Sequence, residues 1–130
     1  MELEAEAPNP TPAELEILQV LWKRGPSTVR DVHEALRKER DTGYTTTLKL
    51  LQIMAEKGLV TRDEAGRAHL YTARLSQEQS RRRMVNDLVD RAFGGAAQQL
   101  VMHALASRKA SAQELAEIRK LLDSMEEQNR

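Results

Sequence analysis

Apolar residues recur three and four positions apart along most of this chain and give way once to two short strand-like runs. Leu15, Leu18, Val20, Leu21 and Trp22 supply the buried side of a first helix, expected from Pro12 to Trp22. Thr11-Pro12-Ala13-Glu14 opens it as a capping box with proline at the first helical position, and Gly25-Pro26 stops it. Ser27-Thr28 reads either as a short strand or as the cap of a second helix. Val29, Val32, Ala35 and Leu36 carry that helix to about Arg40. After the turn Asp41-Thr42-Gly43, a third helix from Tyr44 to Lys57 places Thr47, Leu50, Leu51 and Met54 on one face. Gly58 ends it. Leu59–Asp63 and Ala68–Thr72 then read as two strands around Glu64-Ala65-Gly66-Arg67. Three helices followed by a hairpin describe a winged helix over residues 11–75.

From Leu75 onward the spacing is helical only. Ser76-Gln77-Glu78-Gln79 and Ser111-Ala112-Gln113-Glu114 are capping boxes, and Gly94-Gly95 divides one long pattern into Ser76–Phe93 and Ala96–Ala106. A last helix carries Leu115, Ile118, Leu121, Leu122 and Met125. These segments hold apolar faces but too little sequence to close a separate core. Val85, Leu88, Val89, Phe93, Leu100, Val101, Leu105, Leu115, Ile118 and Leu122 are therefore expected to meet a second copy of the chain. The expected architecture is mainly α with a small β-hairpin: an N-terminal winged helix-turn-helix and a C-terminal helical dimerisation arm over residues 76–130. Residues 1–10, acidic and broken by proline, are expected to form a disordered tail.

Composition removes whole classes of function. With 20 Lys plus Arg against 20 Asp plus Glu, the 130-residue chain has no net charge, so any basic surface must arise from local placement. The absence of cysteine excludes disulfides, thiolate metal sites and a cysteine nucleophile. The acidic opening is unlike a signal peptide, and no apolar run approaches the roughly 20 residues of a membrane span. A cytoplasmic setting is expected, with no membrane insertion. No glycine-rich phosphate loop or G-x-S-x-G elbow occurs. His33-Glu34 begins like a zinc-protease motif, but Arg37 stands where the second histidine belongs, and His33, His69 and His103 fall on separate elements. No catalytic residue, metal or cofactor is implied.

The candidate chemistry lies on the third helix. Its core face leaves Thr45, Thr46, Lys49, Gln52 and Ile53 on other faces, and short hydroxyls, an amide and an ammonium near a helix start are what a DNA major groove can use. Threonine also suits caps and turns, so position alone does not assign base readout. Arg81-Arg82-Arg83 reads more simply as a solvated face of the arm. Trp22 and the five methionines read as core and interface filling.

Glu14–Trp22, Ser27–His33, Tyr44-Thr45-Thr46-Thr47, Lys57-Gly58-Leu59-Val60 and Gly66-Arg67 leading to Tyr71 together resemble the penicillinase repressor (BlaI/MecI) family of bacterial winged-helix repressors. The resemblance covers the chain from Thr11 to its end. It implies a homodimer that binds a two-fold symmetric double-stranded DNA operator and blocks transcription. It also implies release when a membrane sensor-protease triggers cleavage of the dimerisation region. On that pattern Thr45, Thr46 and Lys49 contact bases, with Gln52 and Ile53 beside them. Arg30, Tyr44, Arg62, Arg67 and Arg74 are the phosphate and wing candidates. The family's best-known scissile bond is Asn-Phe, whereas the matching segment here is Leu100-Val101-Met102-His103-Ala104-Leu105. Copper-responsive relatives carry paired C-terminal cysteines, which this chain lacks. The alternative is a winged-helix protein-interaction adaptor without DNA readout.

Overall fold

The computed structural model describes residues 7–38, 41–64 and 66–130. Helices α1 (Pro12–Arg24), α2 (Val29–Arg37) and α3 (Tyr44–Lys57) are followed by strands β1 (Val60–Asp63) and β2 (Leu70–Ala73). Helices α4 (Gln77–Ala92), α5 (Ala97–Ser107) and α6 (Ala112–Gln128) complete the chain. The mainly helical architecture with one antiparallel hairpin is as expected. Three expectations fall wholly or partly outside the described residues: the tail from Met1 to Glu6, the end of the second helix near Arg40, and Ala65 in the wing turn.

The caps do what their residue types predict. Thr11 accepts from the Glu14 N–H at 3.2 Å while Glu14 accepts from the Thr11 N–H at 2.9 Å, and Thr28 with Asp31 repeats the exchange at 3.1 Å in both directions. Helix α1 continues beyond Trp22 to Arg24, where Gly25 closes it by donating to the Leu21 carbonyl at 2.8 Å. Ser27 and Thr28 realise both readings of their dipeptide. Thr28 caps α2, and Ser27 exchanges two backbone bonds with Tyr71, at 3.0 and 2.8 Å, extending the hairpin by one bridge.

Both strands begin later than their sequence suggests. Gly58 takes the left-handed conformation at φ 85°, and the Gly58 and Leu59 N–H groups turn back to the Ala55 and Met54 carbonyls at 3.2 and 2.9 Å. Leu59 therefore belongs to the helix stop. β1 starts at Val60 and pairs with Ala73, which sets Arg62 opposite Tyr71 and Asp63 opposite Leu70.

The core beneath α1–α3 and the hairpin contains Ile17, Leu18, Leu21, Val32, Leu36, Leu51, Met54, Val60 and Tyr71. Ile17 is wholly buried and Leu15 only half-buried, which corrects the sequence-derived face of α1. The same rotation buries Glu14. Trp22 is half-buried on this core, and its indole N–H donates to the Leu75 carbonyl at 2.9 Å. Ala7, assigned to the tail from sequence, is instead buried in the core, and its carbonyl accepts a hydrogen bond from Arg83. Arg83 thus leaves the solvated face on which the arginine run was placed.

The chain divides into two compact units, Met1–Val85 and Asn86–Arg130, which part within α4. In the second unit Gly94 and Gly95, both at positive φ, turn the chain from α4 into α5. No residue of α5 or α6 is buried. Of the residues expected to meet a second copy, Val85, Leu88, Val101, Leu105 and Leu122 are exposed, and Phe93, Leu100, Leu115 and Ile118 are half-buried. Val89 is only 8% exposed, so its own chain already covers it. Met102, Leu121 and Met125 are exposed apolar residues outside that expected set. Among the described residues no helix is long and apolar enough to cross a membrane.

Candidate nucleic-acid interface

Helix α3 is fixed from beneath by three fully buried side chains, Thr47, Leu51 and Met54. The Thr47 hydroxyl does not cap the helix. It donates backward to the Gly43 carbonyl at 3.3 Å, which satisfies it inside the core. Rotating those residues inward leaves Tyr44, Thr45, Thr46, Lys49 and Gln52 exposed, whereas Ile53 is half-buried and offers less surface than its sequence position suggests. Gly43 supplies no side-chain cap for the positive end of α3, and the first turn of this helix carries no compensating carboxylate.

The start of α2 differs. Asp31 already accepts the Thr28 N–H and lies 3.6 Å from Arg24. The Thr28 N–H above all, with the Thr28 hydroxyl and the Arg24 charge, outweighs a smaller effect of burial and holds the Asp31 carboxyl below its ordinary range. The chain thus places its own carboxylate at this helix end. Arg30 nevertheless lines a depression between α2, α3 and the hairpin together with Tyr44, Gln52, Arg62, Arg67 and His69. The Tyr44 ring packs edge-on against His33, with centroids 5.7 Å apart.

Arg74 stands apart from this group. One of its guanidinium nitrogens would be 3.1 Å from a Cβ placed on Gly58, so it covers the C-terminal end of α3, where a cation meets the negative end of the helix dipole. Four of the five phosphate and wing candidates are gathered at one depression, and Arg74 is not among them. Thr46 faces a second hollow, shared with Asp41 and Leu50.

Sequence reasoning missed two pairings. Arg62 donates to one oxygen of Glu64 from Nε at 3.0 Å and from its terminal nitrogen at 2.7 Å. Hydrogen bonds to Glu64 first and to Tyr71 next, with both groups' charge, push the Arg62 guanidinium further above its already high range against a slight effect of desolvation. Their spacing of two in an extended chain, which points both side chains to one face, was the available signal. The second pairing joins Glu14, 2% exposed, to Lys57 at 2.7 Å. Burial pushes the Glu14 carboxyl up, but the Lys57 bond and charge and both Thr11 donors outweigh it, and the net shift is downward. No local pattern announces a contact between the start of α1 and the end of α3.

Three helices, a two-stranded wing and an outward-facing third helix define a winged helix-turn-helix protein. The penicillinase repressor family model matches residues 10–124. The chain belongs to that family. It is 24% identical over 116 residues to the penicillinase repressor of Bacillus licheniformis, covering 89% of this chain and 91% of that one. It is 48% identical over 56 residues to the transcriptional regulator BlaI of Mycobacterium tuberculosis. That match covers 42% of this chain and spans 41% of the mycobacterial protein's length. A solution structure of monomeric Bacillus licheniformis BlaI in complex with the blaP half-operator is 27% identical, with a TM-score of 0.49 over 55% of this chain and 87% of that one.

Proposed function

We propose that this protein is a homodimeric, sequence-specific transcriptional repressor that binds a two-fold symmetric DNA operator in the cytoplasm. The observation that carries the reading is the solvent face of α3: exposed Thr45, Thr46, Lys49 and Gln52 follow an uncapped helix start, with Arg30, Arg62 and Arg67 beside them. Threonine offers a hydroxyl to a base and a methyl to thymine, and lysine reaches guanine or phosphate. Arg30, Tyr44 and Arg67 would hold register on the phosphates, and Arg62 would join them once freed from Glu64. Ile53 has at most a peripheral part. Two copies related by a dyad would place their α3 helices in major grooves about 10 base pairs apart, or a small multiple of that. The exposed apolar residues of α5 and α6 support pairing of two chains, with Val89 left out and Met102, Leu121 and Met125 added. Signalled proteolysis by or through a membrane sensor-protease would act in that arm. The segment Leu100–Leu105 lies in α5 and presents Val101, Met102 and Leu105 to solvent.

Electrophoretic mobility shift with DNA from upstream of the protein's own gene tests the reading. A salt-sensitive, sequence-selective shift is expected, and its absence would favour a protein-interaction adaptor. Lys49→Ala should weaken the shift. A loss equal on all operator variants with a shallower salt slope would assign Lys49 to phosphate, and relaxed discrimination at one position would assign it to a base.

A further inference from the structure

We infer that Glu64 competes intramolecularly with DNA phosphate for Arg62, so that the wing holds one of its own cations in reserve. The inference rests on the DNA-binding reading above. Glu64 engages two guanidinium N–H groups of Arg62 through a single oxygen, at 3.0 and 2.7 Å. That is the donor fork a phosphate oxygen would use. The other Glu64 oxygen lies 3.9 Å from His69 Nε2, so the carboxylate stands between two residues that line the depression beside α3. Arg62 also borders a third hollow, where Gln52, Glu56 and Glu64 are its neighbours. Arg62 thus borders both a hollow that holds carboxylates and the depression that Arg30 and Arg67 share.

Exposure decides how such a pair behaves. The side chains are 36% and 57% exposed, which makes this a surface ion pair that exchanges partners readily and does not lock the wing. DNA binding would exchange one anion for another at Arg62, with little net gain and no additional counterion released. A zero-net-charge repressor built this way would keep its affinity, and hence its release, within reach of small changes in conditions. Because Arg62 would meet phosphate, the restraint applies equally to every DNA sequence.

Glu64→Gln in the full-length protein, titrated on operator and on an unrelated duplex over a range of salt, tests this. Binding is expected to tighten about two- to fivefold on both duplexes, the span of an exposed ion pair, and the logarithmic salt slope should steepen by about one. Glu64→Ala should agree with it. In an Arg62→Gln background the same Glu64→Gln change should have less than half its effect. Weaker or unchanged binding by both Glu64 variants would overturn the inference, as would a gain confined to the operator or one undiminished without Arg62. Wild-type protein that binds neither duplex would instead remove the DNA-binding reading itself.

Discussion

Glu14 closes the capping box at the start of α1, and it is also the buried partner of Lys57 at the end of α3. One role is legible in four consecutive residues. The other spans a sequence separation of 43 and exists only because Ile17 rather than Leu15 faces inward, which brings Glu14 to the buried side. Glu14→Gln should lower unfolding stability at neutral pH by about 1–2 kcal/mol, as a charged acceptor to two donors becomes a weaker one. The sign of the pH dependence follows from the lowered carboxyl in the folded state. The ion's contribution is complete above the ordinary glutamate range near about pH 4.3 and is lost as pH falls through the lower folded value. Urea midpoints of wild type and variant, at fixed protein concentration, should therefore differ most near neutrality and converge as pH falls below the carboxyl's lowered folded range. A difference constant with pH would mean that the pair is not what stabilises the site.

At the scale of elements, the two ends of α3 are built differently. Its start is left without a side-chain cap, which suits an anion-facing role, while its stop is fully specified by Gly58 at φ 85° with Arg74 packed over it. Gly58→Ala should cost about 1–2 kcal/mol through the left-handed backbone, and the added methyl would also press on the Arg74 guanidinium. A thermal melt would register this as a lower midpoint, and an unchanged midpoint would show that the turn relaxes. The glycine was readable from sequence as a stop. That Leu59 is consumed by the turn was not, because an apolar residue after glycine fits a strand and a helix terminus equally well. β2 shifted for a related reason. Its first residue follows from pairing with β1 and from the Ser27 bridge to Tyr71, neither of which the local run Ala68–Thr72 contains.

For the whole molecule, the proposed repressor works only if two reading helices act together. Linking two half-sites makes the second binding event intramolecular and can raise apparent affinity by about two to four orders of magnitude. Leu122, 53% exposed on α6, is the cleanest probe of the second copy. Leu122→Asp should shift sedimentation toward monomer and weaken operator binding at least tenfold, with the helical signal of the winged helix intact. An unaltered dimer by analytical ultracentrifugation would move the interface elsewhere. By itself the sequence determined the order of the helices, the capping boxes at Thr11 and Ser111, the stop at Gly58, and the outward placement of Thr45, Thr46, Lys49 and Gln52. Those are local properties: hydrogen bonds within a turn, and a periodicity that any apolar core would select. Only the tertiary structure decided that Ala7 joins the core, that Val89 is buried, and that Arg74 covers a helix end. Each of these depends on which distant side chain fills the neighbouring space, and periodicity carries no information about that.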